Sequence, residues 1–348
     1  MTTVRASILR TGMITPVGLG SAQTCVALAC GVPAFEETPI HDRRFQPRVM
    51  ALLPDEELPE LDAAVIGAAE LGARQQRMLR LAAPALQEVL DGVDAPQEIP
   101  LFLAGPCPLL DRPDPTAEPF LEQLQQQARV PFQLAASRRF PHGRAAGLLA
   151  LQAAVETIER GESSRVLVGG VDTFLDLYLL GALDGRILSE SVLDGFIPGE
   201  AAAFLLVSAP GVDQKALAHV VAVASAEEPG HLGSEQPYRG DGLASAVTQV
   251  LEWAPGMGAV RTVYASLNGE HLGAKEWGVA LLRNRARLEE RHRLEHPADC
   301  IGDTGAAVGG VLLGLAAHAL HDDPGIGPCL LWTSSDGPQR AAAVLSAP

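Results

Sequence analysis

The side chains able to do covalent or acid-base chemistry are scattered. Five cysteines, Cys25, Cys30, Cys107, Cys300 and Cys329, show neither C-x-x-C nor Cys/His ligand spacing, so no metal site is expected. Only Cys107 stands in a turn, Gly105-Pro106-Cys107-Pro108, after the apolar run Ile99 to Ala104. A thiolate needs the free N–H groups and partial positive charge of a helix start, and the flanking prolines oppose one there. His271, beside a strand end, is a lone imidazole that reads as a hydrogen-bonded structural group. Glu200, between Gly199 and a small apolar run, could serve as a general base and reads better as a buried hydrogen-bond acceptor. The glycine turn from Thr11 to Gly18 fits neither a phosphate-cradling P-loop nor G-x-G-x-x-G, so no cofactor is expected.

The chain has 348 residues, 47% hydrophobic and only 4% aromatic, which predicts one large or two ordinary domains with cores of closely packed small aliphatics. A formal net charge of -16 argues against a nucleic-acid or anionic-membrane surface. The first residues lack a charged start and long apolar stretch, and the apolar segment Thr304 to Leu320 is short for a bilayer and carries His318. A cytoplasmic protein with reduced thiols and a buried core helix is the expectation.

The stretch Phe140 to Thr173 reads as loop, helix and strand. Ala145, Ala146, Leu148, Leu149, Leu151, Gln152, Val155 and Ile158 recur at helical spacing, and Gly161 stops the run. Arg165 to Val168 is a strand that the chain leaves at Gly169-Gly170. Upstream, Val4 to Leu9 is a strand, and Ser21 is placed to cap a helix from Ala22 to Ala29. Gly31 to Asp62 reads as a surface excursion and Ala63 to Leu90 as one or two helices, with Arg74, Arg77 and Arg80 on a solvated face. Asp111 to Pro119 is a loop and Phe120 to Ala128 a helix. Downstream come a strand (Lys215 to Ala226), a helix (Gly240 to Trp253), a strand (Val260 to Leu267) and a last strand (Cys329 to Thr333). Glu276 to Leu294 reads as a helix with Arg283, Arg285, Arg287, Arg291 and Arg293 among acids, an exposed face with weak ion pairs. The loop, small-residue helix and strand recur about 160 residues later, around Asp303 to Thr333. Pattern alone supports an α/β chain with buried strands.

These segments resemble the β-ketoacyl synthases of the thiolase-like superfamily. The opening Thr11-Gly12-Met13-Ile14-Thr15-Pro16-Val17-Gly18 is similar to the family's T-G-x-x-T-P-x-G, and Phe140 to Thr173 resembles its nucleophile region. Asp194-Gly195-Phe196-Ile197-Pro198-Gly199-Glu200-Ala201-Ala202 looks like its D-G-F-x-x-G-E-G-A run. The resemblance implies an α/β thiolase-like fold of two duplicated βα halves, residues 1–210 and 211–348, in a five-layer α-β-α-β-α arrangement. It also places the family's Cys-His-His triad at Arg144, Asn268 and Asp303, its lysine at Ala298, and a Gly-Phe-Gly-Gly loop at Ser334 to Gly337. Phe196, Gly199, Glu200, Glu270 and His142 then fall near the site as structural residues.

Condensation by this family requires a thiolate to carry the acyl chain and two imidazoles to assist decarboxylation and stabilise the oxyanion. Arginine cannot deprotonate, and Asp303 would add negative charge where it must develop. With the three replaced, no catalytic residue is expected. Arg144 and Asp303 are expected to pair and plug the cavity, with Asn268 or Glu270 completing the hydrogen bonds. The resemblance then implies a non-catalytic subunit: a homodimer, or a heterodimer with another thiolase-fold protein. Such a subunit could be a chain-length-factor-like partner or an adaptor or chaperone accessory to a type VI secretion effector, meeting an effector or an acyl carrier protein. The alternative is an acyl-binding or acyl-transferring enzyme with altered chemistry at His142, His271 or Cys107.

Overall fold

The computed structural model of the protein describes residues 3–68, 71–109, 111–212 and 215–348. The start of the chain and part of the 63–90 helical stretch therefore lie outside the described residues. In chain order the first half contains β1 (Ala6–Ile14), α1 (Ser21–Ala29), a hairpin of β2 (Phe35–His41) and β3 (Pro47–Ala51), α2 (Ala63–Ala68), α3 (Ala73–Leu90) and β4 (Leu101–Ala104). It continues with α4 (Phe120–Ala128), β5 (Arg138–Phe140), α5 (Ala146–Glu159), β6 (Arg165–Thr173), α6 (Leu177–Ala182) and β7 (Glu200–Ser208). The second half contains β8 (Ala218–Glu227), α7 (Asp241–Trp253), β9 (Val260–Ala265), α8 (His271–Asn284), β10 (Leu288–Glu295), α9 (Ala298–Ile301), α10 (Val308–Asp322), β11 (Cys329–Ser334) and β12 (Gln339–Ser346).

The same sheet is built twice. The strand order is β5-β4-β6-β7-β1 in the first half and runs on as β8-β12-β11-β9-β10 in the second. In each half the three outer strands are parallel and the two inner ones antiparallel. The halves join through a short antiparallel contact of Ala6, Ser7 and Ile8 with Val220, His219 and Ala218.

Both faces of each sheet are covered, so its strands read as continuous apolar runs rather than alternating ones. On β6, Val166 and Val168 face an inner core with Leu148 and Leu151 of α5 and Leu312 and Leu313 of α10, while Leu167 faces an outer core under α3 and α4. On β11, Leu331 joins the inner core, and Leu330 and Trp332 pack under α7 and α8. The result is helix, sheet, helix, sheet, helix. The central helices touch at Gly147 and Gly309, where a Cβ on Gly147 would lie 2.8 Å from the Gly309 Cα. That contact explains the small-residue composition of both.

Several sequence expectations change. Ser21 does not cap α1: its hydroxyl has no partner among the described residues, and the Ser21 N–H donates instead to Glu88 Oε1 at 2.8 Å. The 31–62 excursion is a hairpin in part, with Met50, Ala51 and Leu53 buried. The expected helix from Glu276 to Leu294 ends at Asn284, and Leu288–Glu295 is the edge strand β10. Only Leu288 of that strand is buried, so its charged residues carried no period that separates strand from helix. No described helix is long and apolar enough to cross a membrane.

Candidate functional site: a charge-filled cleft at the elbow

A single turn of 3-10 helix, Gly143–Ala145, leads from β5 into α5 and carries Arg144 at its centre. The Ala145 N–H donates to Ser335 Oγ at 2.9 Å, and the Ser335 hydroxyl donates to the His142 carbonyl, so the turn is tied to the loop between β11 and β12. Opposite stands Asp303, just before α10. Its backbone is clamped by the D-G-F-I-P-G-E segment, since Gly199 N donates to Asp303 O at 2.9 Å and Asp303 N donates to Ile197 O at 2.8 Å. A Cβ on Gly199 would lie 2.1 Å from the Ile301 carbonyl oxygen, which is why glycine stands there. The glycine pattern thus sets where an acid from the other half is presented.

The structure brings Arg144, Asn268, Glu270 and Asp303 together. Arg144 donates through both Nε, at 2.7 Å, and Nη2 to Asp303 Oδ2. Asn268 Nδ2 lies 2.9 Å from Asp303 Oδ2 and 2.9 Å from Glu270 Oε2. The other Asp303 oxygen accepts from Gly305 N at 2.9 Å. Two further residues, Asp336 and Arg186, complete the cluster. Arg144 Nη1 donates to Asp336 Oδ1 at 2.7 Å. Arg186 forks onto Glu270 at 2.8 and 2.9 Å and onto Asp336 at 2.8 and 3.0 Å. The Phe196 ring lies 5.8 Å from each guanidinium carbon, closing the cluster from one side with a cation–π contact.

Two guanidiniums therefore face three carboxylates, and Arg144 is only 9% exposed. Burial opposes its charge, but Asp303 and Asp336 outweigh that and raise its pKa well beyond the ordinary arginine value. Burial alone would raise the Asp336 carboxyl; Arg144 and Arg186 instead hold it well below the usual carboxylate range. A carboxyl whose folded pKa is depressed adds stability above its unfolded pKa of about 3.9, and that stability is lost as pH falls toward the folded value. Asp336→Asn should therefore flatten the fall of Tm between about pH 5 and pH 2. Thermal melts of both proteins across that range check this, and equal slopes would show that Asp336 does not titrate with folding.

A second buried centre lies under the first. Glu200 is fully buried and takes a two-pronged ion pair from Arg77, Nε and Nη2 each at 2.6 Å, with Thr173 Oγ1 at 2.7 Å and Leu53 N at 2.9 Å. Every lone-pair direction is engaged, so Glu200 ties α3, β6 and the segment just after β3 together. Arg74 donates to Asp172 at 2.7 Å, and Arg80 to Asp55 at 2.6 Å. The solvated face expected for these arginines is thus corrected. Their spacing matches a row of carboxylates, two of which, Glu200 and Asp172, are buried. Burial raises the Asp172 pKa, and Arg74 and the Ala306 and Thr173 N–H groups only partly offset it.

The side chains of the remaining candidates make none of the hydrogen bonds described in this cluster. His142 is half-buried beside it, with its pKa lowered by burial. His271 points to solvent and pairs with Asp194 at 3.2 Å. Ala298 opens the short helix α9. The Cys107 thiol is pushed up to about 11 by burial and by Asp336 and Asp172, with Arg144 opposing, so it stays protonated near neutral pH. Above Arg144 there remains a cavity of about 110 Å³, walled by Cys107, Phe174, Phe196 and Asp336. It adjoins a larger cleft of about 350 Å³ between α3, α4 and α6. Among the described residues no group of His, Cys, Asp and Glu is arranged to hold a metal.

No protein-family model matches the chain. No curated protein matches it. Solved structures do. The ketosynthase from module 6 of the bacillaene synthase of Bacillus subtilis superposes with a TM-score of 0.79 at 12% identity, over 99% of this chain and 72% of that one. The ishigamide ketosynthase/chain length factor gives 0.77 at 16%, over 99% and 100%. A ketosynthase in complex with its chain length factor from Xenorhabdus doucetiae gives 0.75 at 17%, over 99% and 98%. From β1 to β12 the chain has the thiolase-like fold of the ketosynthases.

Proposed function

We propose that this chain is a non-condensing ketosynthase-fold protein that works as a protein-interaction subunit. The observation that carries the reading is the ion pair of Arg144 with Asp303, reinforced by Asn268, at the three positions where the resemblance puts a thiol and two imidazoles. A guanidinium held this way cannot accept an acyl group, and the carboxylates around it oppose a developing oxyanion. The halves divide near residues 210 and 211. The partner is a second thiolase-fold chain, the same or different, and the role is that of an adaptor or chaperone, such as a type VI secretion accessory. A chain-length-factor-like role is the second reading, supported by similarity to structures that contain chain length factors and, in one case, an acyl-carrier protein with its ketosynthase.

The test is intact mass after incubation with an acyl-CoA or an acylated carrier protein. The expected result is an unchanged mass; a stable acyl adduct, on Cys107 above all, would replace this reading with an altered acyl-transfer enzyme.

A further inference from the structure

The 350 Å³ cleft is not part of the charge-filled site, and its chemistry differs. Its walls are the start of α3 at Gly72 and Ala73, the proline-rich loop before α4, and Tyr178 of α6, with Leu71 and Leu109 among the apolar surfaces. Most of its charged groups are already engaged. Arg74 serves Asp172, Asp114 takes Thr116 and Arg139, and Asp176 caps Leu179 N. Two groups are not. Gln123 in the wall is 2% exposed, yet neither its Nε2 nor its Oε1 has a hydrogen-bond partner. Arg112 has no acid partner among the described residues, and its guanidinium lies 4.3 Å over the Tyr178 ring.

A buried amide with both ends unmatched is costly, and a ligand offering one donor and one acceptor relieves it once the Gln123 side chain turns into the cleft. A peptide group supplies that pair. A guanidinium pre-oriented on an aromatic face suits a carboxylate. The exposed Glu118 carboxylate on the same wall disfavours a second negative charge. A fatty acid would answer Arg112 with its carboxylate but has no donor for Gln123.

From this cleft we infer that the protein binds a peptide end: an apolar side chain between Leu71 and Leu109, a backbone amide on Gln123, and a single carboxylate on Arg112. The inference rests on the protein-interaction reading and gives that partner a chemistry.

The probe is N-acetyl-leucyl-leucine, titrated calorimetrically into the full chain, with its C-terminal amide and octanoate as comparisons. The dipeptide should bind with a Kd below about 1 mM. Arg112→Ala, or the C-terminal amide, should weaken it about ten-fold or more. Gln123→Leu should weaken it several-fold while raising the Tm of the free protein, a combination that a folding defect does not produce. Bound dipeptide should also slow alkylation of Cys107, which lines the cleft. No heat up to about 10 mM, equal affinity in the variants, an unprotected Cys107, or octanoate binding as tightly as the dipeptide would overturn the site. None of these results bears on the acyl-adduct test, so the two proposals fail separately.

Discussion

Arg144→Ala should destabilise the protein by about 3 kcal/mol, read as a lower midpoint in urea at unchanged slope. Among the described residues the guanidinium is the only cation on Asp303, whose side chain is 2% exposed, and removing it leaves a buried carboxylate with only Asn268 and Gly305 N as donors. Asp336 suffers less, because it keeps Arg186 and its side chain is 43% exposed. The double substitution Arg144→Met, Asp303→Leu removes both charges and should recover most of the loss, since buried pairs contribute little net once desolvation is counted. Single and double variants together give the coupling energy. A single variant within about 0.5 kcal/mol of wild type would mean that water reaches Asp303 and the site is open.

The residues behind this prediction were unevenly visible in the chain. Arg144 and Asp303 could be placed because their positions are counted from local patterns: Gly161 and Gly169-Gly170 after one, Gly302 and a small-residue helix around the other. Those patterns have physical causes that a sequence displays, such as the crossing at Gly147 and Gly309 and the tight approach at Gly199. Asp336 and Arg186 lie 150 residues apart, and Asp336 is 192 residues from Arg144. Nothing local to either marks it as a partner, although the resemblance matches Ser334 to Gly337 to the family's Gly-Phe-Gly-Gly loop. The two-half architecture was legible for a similar reason, since a loop, an Ala/Gly helix and a strand repeat visibly. The edge strands β5 and β10 were not, because one has three residues and the other is mostly charged.

The arginines of α3 teach the opposite lesson. Arg74, Arg77 and Arg80 are spaced as on any solvated helix, and ion pairs on such a face are weak. What makes them different is a row of acids from three other segments, Asp172, Glu200 and Asp55, that no spacing rule connects to α3. The three differ in how much they hold. Asp55 is 70% exposed, so its ion pair with Arg80, read as the coupling between Arg80→Ala and Asp55→Asn, should be worth no more than about 1 kcal/mol; the three backbone carbonyls that Arg80 also binds lie outside that figure. Asp172 keeps two backbone N–H donors, and its pKa is already raised, so on losing Arg74 it can take a proton instead of remaining an unpaired buried charge.

Arg77→Leu should have the second large effect, about 3 to 5 kcal/mol. Glu200 has no exposed surface, and among the described residues its partners apart from Arg77 are one hydroxyl and one backbone N–H. Without the guanidinium it must either stay charged in an apolar layer or take up a proton, and either course costs free energy at neutral pH. Arg77 also binds the Leu53 carbonyl at 2.7 Å, so the strand β3 and its hairpin should loosen with it. Hydrogen exchange at Met50, Ala51 and Leu53 should then quicken before global unfolding. The paired variant Arg77→Leu, Glu200→Leu separates charge from packing: it should regain stability, while the hairpin stays loose because Leu53 N loses its acceptor as well. If Arg77→Leu instead melts like wild type and the Leu53 amide stays protected, this buried pair does not hold the hairpin beside Asp303, and its position is set by the glycine contacts alone.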